Sequence, residues 1–199
     1  MRSLAALALL AGCTASSLVS QQANPEYVGK SFKNVMVVAV TADEIVRRTY
    51  EDRMVALLAK RGIKGVPGYA AIGGRGKVQE AALRQAVAGS GVDAVLITRV
   101  TSVDRAKTSI SGGTLAIGYG GWGGGYAGFY SGVWDVVSVG AQTVSGERWA
   151  VSETRLFDAR NEALAWIGLV DTKETENFNA ALTQYLGIVF DAMVRDRVI

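Results

Sequence analysis

The sequence predicts an α/β fold, a single mixed sheet with helices packed on it. Three observations carry that expectation. Residues 34–40, NVMVVAV, form a continuous β-branched run, the pattern of a strand buried on both faces. Helix-period segments then alternate with strand-like runs as far as Val103, which predicts β-α-β-α-β connectivity. Three strand patterns joined by short turns follow, and an amphipathic helix closes the chain. That part predicts a three-strand antiparallel meander and a C-terminal helix.

The chain opens with Arg2 and an apolar run of mostly Leu and Ala over residues 4–11. These are the charged and hydrophobic parts of a secretory signal. The run is far shorter than the about 20 apolar residues a spanning helix needs. It leads into Leu10-Ala11-Gly12-Cys13, which holds the only cysteine. This tetrapeptide resembles the box recognised by lipoprotein signal peptidase. The resemblance implies cleavage between Gly12 and Cys13, a diacylglyceryl group on the Cys13 thiol and an acyl group on the new amine. Residues 1–12 are then a signal peptide, and two acyl chains already give stable membrane anchoring. Thr14 resembles an outer-membrane address. The readings without a lipid are a signal cut later, near residues 15–17, and a buried Cys13 in an N-terminal helix.

Residues 13–33 are small and polar, with Gln21, Gln22, Asn24 and Pro25, and read as the lipidated Cys13 and a flexible tether. A single α/β domain over 34–199 follows. After the first strand, Thr41 and Glu44 have capping-box spacing, opening a helix that runs to about Arg61 and stops at Gly62. Its apolar stripe reads as Val46, Tyr50, Met54, Leu57 and Leu58, with Arg47, Arg48, Glu51, Asp52 and Lys60 on a solvated face. Residues 63–72 give a weaker strand. Pro67 within it cannot donate to a ladder, which predicts an edge or a strand entry. Gly73-Gly74-Arg75-Gly76-Lys77 invites a phosphate-loop reading, but Ala71 and Val78 stand where that pattern requires Gly and Ser or Thr. A flexible turn before a helix over 77–88 fits better. Residues 92–103 give the third strand.

Residues 112–132 are rich in Gly and carry Tyr119, Trp122, Tyr126, Phe129 and Tyr130. The plain reading is a loop joining two strands. The sharper readings are a partner-binding surface with Trp122, Tyr126, Phe129 and Tyr130 as anchors, or a hairpin touching lipid. The expected meander strands are 133–144, 147–158 and 162–170. The second places Trp149, Val151, Glu153, Arg155 and Phe157 on one side and Ala150, Ser152, Thr154 and Leu156 on the other. The closing helix, from about Glu174, has Phe178, Leu182, Tyr185, Leu186, Val189 and Met193 on its apolar stripe, and Arg195 and Arg197 suit its C-terminal end.

Composition excludes several chemistries. The net charge is +3, and removing Arg2 with the signal leaves +2, too mild and dispersed for nucleic acid. A lone cysteine permits no disulfide within the chain. There is no histidine, so His-based triads, bases and metal ligands are absent. With Cys13 acylated, no thiolate is left for catalysis or zinc, and the sequence calls for no metal or cofactor. Carboxylates remain. Glu153 and Asp158 are the nearest acid–base pair, but their odd separation sends them to opposite faces of a regular strand.

The LAGC box, NVMVVAV, the helix ending LLAKRG, the strand GVDAVLITRV and the segment ETRLFDARNEALAWIG together resemble a family of small Gram-negative envelope lipoproteins of unknown function. More loosely, the chain is similar to the α/β domains of the curli secretion lipoprotein, the penicillin-binding-protein activator lipoprotein LpoB and the N-terminal domain of the TolB protein. The resemblance covers about residues 34–199 and implies fold more than function. It supplies no catalytic residue. The curli secretion protein builds an outer-membrane pore from added hairpins; this chain has no clear alternating lipid-facing pair. The leading expectation is a non-catalytic lipoprotein held on the periplasmic face of the outer membrane by Cys13, binding a protein partner in envelope assembly or maintenance. The alternatives are a ring-forming, homo-oligomeric subunit of an outer-membrane secretion assembly, and a carboxylate hydrolase.

Overall fold

The computed structural model describes residues 16–73, 76, 79–104, 125–137, 149–173 and 175–199. In chain order the elements are β1 (Ser16–Ala23), β2 (Asn34–Val40), α1 (Glu44–Ala59), β3 (Lys64–Pro67), α2 (Gly68–Ile72), α3 (Glu80–Ser90), β4 (Ala94–Asp104), α4 (Tyr126–Val137), β5 (Trp149–Asp158), β6 (Leu164–Lys173) and α5 (Phe178–Arg195). Among the described residues, the strands form one six-stranded sheet in the order β1-β6-β5-β4-β2-β3. β2 pairs in parallel with both β3 and β4, while β4, β5, β6 and β1 are successively antiparallel. This is the mixed α/β architecture that the sequence predicts.

The connectivity explains the layering. β2 steps through α1 to β3 on one side, then β3 steps through α2 and α3 back across β2 to β4. Right-handed crossovers that reverse direction must place their helices on opposite faces. Accordingly α1 and α5 pack on one face and α3 and α4 on the other. β2 feeds both cores: Val35, Val37 and Ala39 face α1 and α5, and Met36, Val38 and Val40 face α3 and α4. Pro67 closes the short β3 at the sheet edge, where its missing N–H costs no ladder bond.

Three expectations are corrected. The first concerns residues 16–23, expected within a tether; they form β1, registered on β6 from Ser16↔Thr172 to Ala23↔Trp166. The polar sequence SSLVSQQA suits a strand at the sheet margin, and the open edge of β6 supplies its partner. Residues 24–33 then cross beneath the sheet, with Tyr27 stacked on Phe32 at 6.0 Å between ring centroids and both buried. The second concerns residues 133–137, expected to begin a strand; they are the end of α4, so the antiparallel part is β4, β5, β6 and β1. The positions 126, 127 and 130 recur at helical spacing, whereas Gly128 and Gly132 each cost about 1 kcal/mol of helix propensity and obscure the pattern. Residues 138–148 lie outside the described residues.

The third correction concerns α1. Asp43, not Thr41, caps it, accepting from the Ile45 and Val46 N–H groups at 2.8 and 3.1 Å. Arg47 and Glu51, expected in solvent, are buried, and Glu51 is fully so. Residues 47, 51, 54 and 58 share one stripe at i, i+4, i+7 and i+11. Glu51 Oε1 accepts from the Ala39 N–H at 3.0 Å and from Arg47 Nε at 3.2 Å, and Oε2 accepts from the Tyr69 N–H at 2.7 Å. Ala39 lies beyond the last residue that β3 pairs, so its N–H on that side has no ladder partner. Tyr69 stands in the first turn of α2, whose preceding Pro67 offers no side-chain cap. One carboxylate therefore joins β2, α1 and α2. Burial raises its pKa, against the pull of the two backbone donors and Arg47. Gly68 is needed at this junction, because a Cβ there would meet the Val37 carbonyl at 2.8 Å. Glu51→Ala removes the acceptor shared by the Ala39 and Tyr69 N–H groups and one carboxylate partner of the buried Arg47. The expected loss is about 3–5 kcal/mol in urea unfolding, and a change below about 1 kcal/mol would show that the junction is not held this way.

Candidate functional site

On the face covered by α1 and α5, the two helices leave a cavity of about 190 Å³ over the ends of β2 and β4. Val46 and Tyr50 of α1, Phe178, Ala181, Leu182 and Tyr185 of α5, and Thr98, Val100, Ala150, Ser152 and Thr172 of the sheet line it. These sheet residues share one face by period-two alternation with Leu96, Leu156 and Val170 of the core below. The rim is apolar and wet: Val100 and Phe178 are each 44% exposed.

The floor is a chain of hydroxyls. Tyr50 Oη lies 2.6 Å from Thr98 Oγ1, Thr98 Oγ1 lies 2.8 Å from Thr154 Oγ1, and Thr154 Oγ1 lies 2.8 Å from Tyr185 Oη. Burial pushes Tyr185 up to about 12 and Tyr50 well above the ordinary phenol value, so both stay protonated at neutral pH. The hydroxyls satisfy one another, and the tyrosine rings present carbon to the cavity. This lining can enclose an apolar group and exclude water from it.

The sequence-selected residues fall elsewhere. Gly12, Cys13 and Trp122 lie outside the described residues. Tyr126 and Tyr130 of α4 are buried beneath it, at 3% and 2% exposure, in the core with Leu83, Ile97 and Phe157. Phe129 packs against two guanidinium groups, 4.7 Å from Arg99 and 4.3 Å from Arg155. Tyr126 and Tyr130 thus spend their surface inside the domain, and Phe129 is half-buried against the two arginines. The helix turns the two tyrosines inward where a loop would have displayed them.

Glu153 and Asp158 point to opposite faces, as their spacing predicts. Glu153 is held by Arg99 Nη2 at 2.6 Å and Arg155 Nε at 2.5 Å, beneath Phe129. Asp158 takes a bidentate hold from Arg160, with Nε at 2.9 Å and Nη2 at 2.6 Å, and accepts from Tyr27 Oη at 3.3 Å. Arg160, through its guanidinium and its backbone N–H, holds the Asp158 carboxyl below its ordinary range against the opposing effect of burial. The pair does not converge on a shared cleft. Sequence reasoning missed the cavity residues. The legible signal was Ser152 and Thr154 falling on the same alternate positions as buried Leu156; the gap between helices had no local signal.

No protein-family model matches the chain, and no curated protein matches it. Among solved structures, the chain is similar to the PelC dodecamer from Paraburkholderia phytofirmans, at TM-score 0.46 and 13% identity over 88% of this chain and 96% of that one. It is similar to lipoprotein GNA1162 from Neisseria meningitidis at TM-score 0.40 and 17% identity, covering 82% and 99%. The hypothetical protein CT253 from Chlamydia trachomatis gives TM-score 0.38 and 11% identity, covering 83% and 97%. Similarity at this level transfers no activity, partner or assembly to the chain.

The Asp158 geometry predicts an acid response. Its folded pKa is lowered, so its contribution is present above the unfolded value, about 3.9, and is lost as pH falls through the folded value. Asp158→Asn is therefore expected to be less stable than the parent at pH 6, with the gap narrowing below about pH 4 in thermal unfolding. A gap independent of pH would contradict the ion pair's role.

Proposed function

We propose that this chain is a non-catalytic, lipid-anchored envelope protein that works at the membrane surface and binds a protein partner there. The carrying observation is the Leu10-Ala11-Gly12-Cys13 box with β1 beginning three residues later at Ser16. An extended chain covers at most about 3.3–3.6 Å per residue, so Ser16 stands within about 10 Å of the modified cysteine. The domain is then seated close to the bilayer and not hung from a long tether. Its orientation follows: the ends of β2, β4 and β6 and the starts of α1, β5 and α5 share the membrane side with Ser16. The C-terminal end of α1, with Arg61, faces the aqueous side, where a partner has access.

Several observations support a binding role over chemistry. The cavity lining presents protonated phenols, aliphatic hydroxyls and apolar carbon, with Arg99, already paired to Glu153, beside them. Glu153 and Asp158 are each committed to arginine partners on separate faces. Among the described residues, no helix is long and apolar enough to cross a membrane, so the lipid is the proposed means of attachment. Thr14 favours the outer membrane as the address.

Cell fractionation and mass spectrometry of the mature protein test this reading. The parent is expected in the outer-membrane fraction, starting at Cys13 with three acyl chains, and Cys13→Ala in the soluble or unprocessed fraction. In-cell crosslinking of the parent is expected to recover one defined envelope protein. An unmodified thiol on a chain still starting at Met1 would overturn the anchor. Unchanged membrane retention of Cys13→Ala would do the same.

A further inference from the structure

We infer that the cavity between α1 and α5 receives one acyl chain of the lipid on Cys13 itself. The inference rests on the lipidation proposed above and adds a binding site for the lipid within the folded domain.

Position is the first support. Ser16 Oγ lies 3.0 Å from Thr172 Oγ1, and the Ser16 N–H donates to Gln184 Oε1 at 3.0 Å. Thr172 lines the cavity. The first described residue after Cys13 is therefore fastened to a cavity residue, and Cys13 lies within about 10 Å of it. Val100, on the far rim, is two strands from Thr172, about 10 Å across the sheet. An acyl chain leaving Cys13 spans that distance.

Lining and size agree. The rim residues Val100 and Phe178 are apolar and partly exposed, and they lie on the same end of the sheet as Ser16. The floor hydroxyls are bonded to one another, so hydrocarbon displaces no needed partner. A volume of about 190 Å³ is many times the roughly 10–15 Å³ that one water molecule needs on this measure and takes a short run of methylenes. That is the end of a fatty chain, with the remainder lying along the rim.

The occupant is argued from covalent attachment. A chain tethered through three residues presents itself at millimolar effective concentration, ahead of any free ligand. Two chains suffice to hold the protein in the bilayer, so the third is free to enter the domain. With one chain inside, the lipid fixes both the distance and the tilt of the domain on the membrane.

The test uses the full chain in its native membrane. Cells are fed a fatty acid with a terminal diazirine, membranes are irradiated, and digested peptides are mapped by mass spectrometry. The expected product is the Cys13 lipopeptide joined to peptides containing Phe178–Leu182 or Val100. Ala181→Trp, which fills the cavity, is expected to cut that product at least fivefold while a cooperative thermal transition is retained. Should that variant fail to fold, the exposed rim change Phe178→Ser gives the same reading at lower amplitude, and the parent map stands by itself. Fully acylated Cys13 with no adduct in these peptides, or with phospholipid adducts only, overturns the cavity assignment and leaves the anchor intact. Cys13 without acyl groups removes both the anchor and its occupant. Undiminished crosslinking in folded Ala181→Trp places the chain elsewhere.

Discussion

Antiparallel pairing of β1 with β6 constrains everything that follows from this fold. It places residues 16–23 in the sheet, and it is fastened at both ends. At one end Ser16 bonds to Thr172 and Gln184. Near the other, Gln21 Nε2 donates to Asp196 Oδ1 at 2.7 Å, and the second oxygen of Asp196 accepts from Trp166 Nε1 at 2.8 Å. Trp166 lies flat over Gly168, where a Cβ would come within 2.2 Å of its ring. Gln21 also accepts from Arg195. An edge strand with weak intrinsic propensity is thus held by packing and by side chains from β6 and α5.

The two faces of the sheet are built differently. Under α3 and α4, charges are consumed locally: Glu153 is held by two arginines, and Phe129 packs against both guanidinium groups. Under α1 and α5 the sheet carries hydroxyls toward the end of β4 and large apolar residues below. The hydroxyls of Tyr50, Thr98, Thr154 and Tyr185 there bond to one another, so that part of the face needs no charge to satisfy them. The junction at Glu51 sets the start of α2 and the end of β3, and it holds α1 against β2. Where α1 and α5 part beyond that junction, the cavity opens.

Much of the architecture was legible because period and composition agreed. NVMVVAV is buried on both faces, Pro67 closes an edge strand, and Leu182, Tyr185, Leu186, Val189 and Met193 form the buried stripe of α5. Phe178 is the exception, exposed at the cavity rim. Other parts were set by partners and not by local sequence. SSLVSQQA is a strand because β6 has an open edge beside it. YAGFYSGVWDVV is a helix despite two glycines, because Tyr126, Ala127 and Tyr130 find one core. Arg47 and Glu51 read as a surface i,i+4 pair, yet they share the stripe of Met54 and Leu58, and Glu51 answers the backbone donors of two neighbouring elements. The cavity is a property of helix separation, which no single segment encodes.

With the proposed lipid on Cys13, a domain beginning three residues later has little freedom of orientation. The proposal turns its cavity end to the bilayer and the C-terminal end of α1 to water. Membrane depth of spin labels measures this most directly. Labels are placed at Val100→Cys and Arg61→Cys in the lipidated protein, whose native cysteine is blocked as a thioether, and relaxed by oxygen or by an aqueous nickel complex. The account predicts that the Val100 label relaxes with lipid-dissolved oxygen and the Arg61 label with aqueous nickel. Equal aqueous exposure at both sites, or a deeper Arg61, would contradict it.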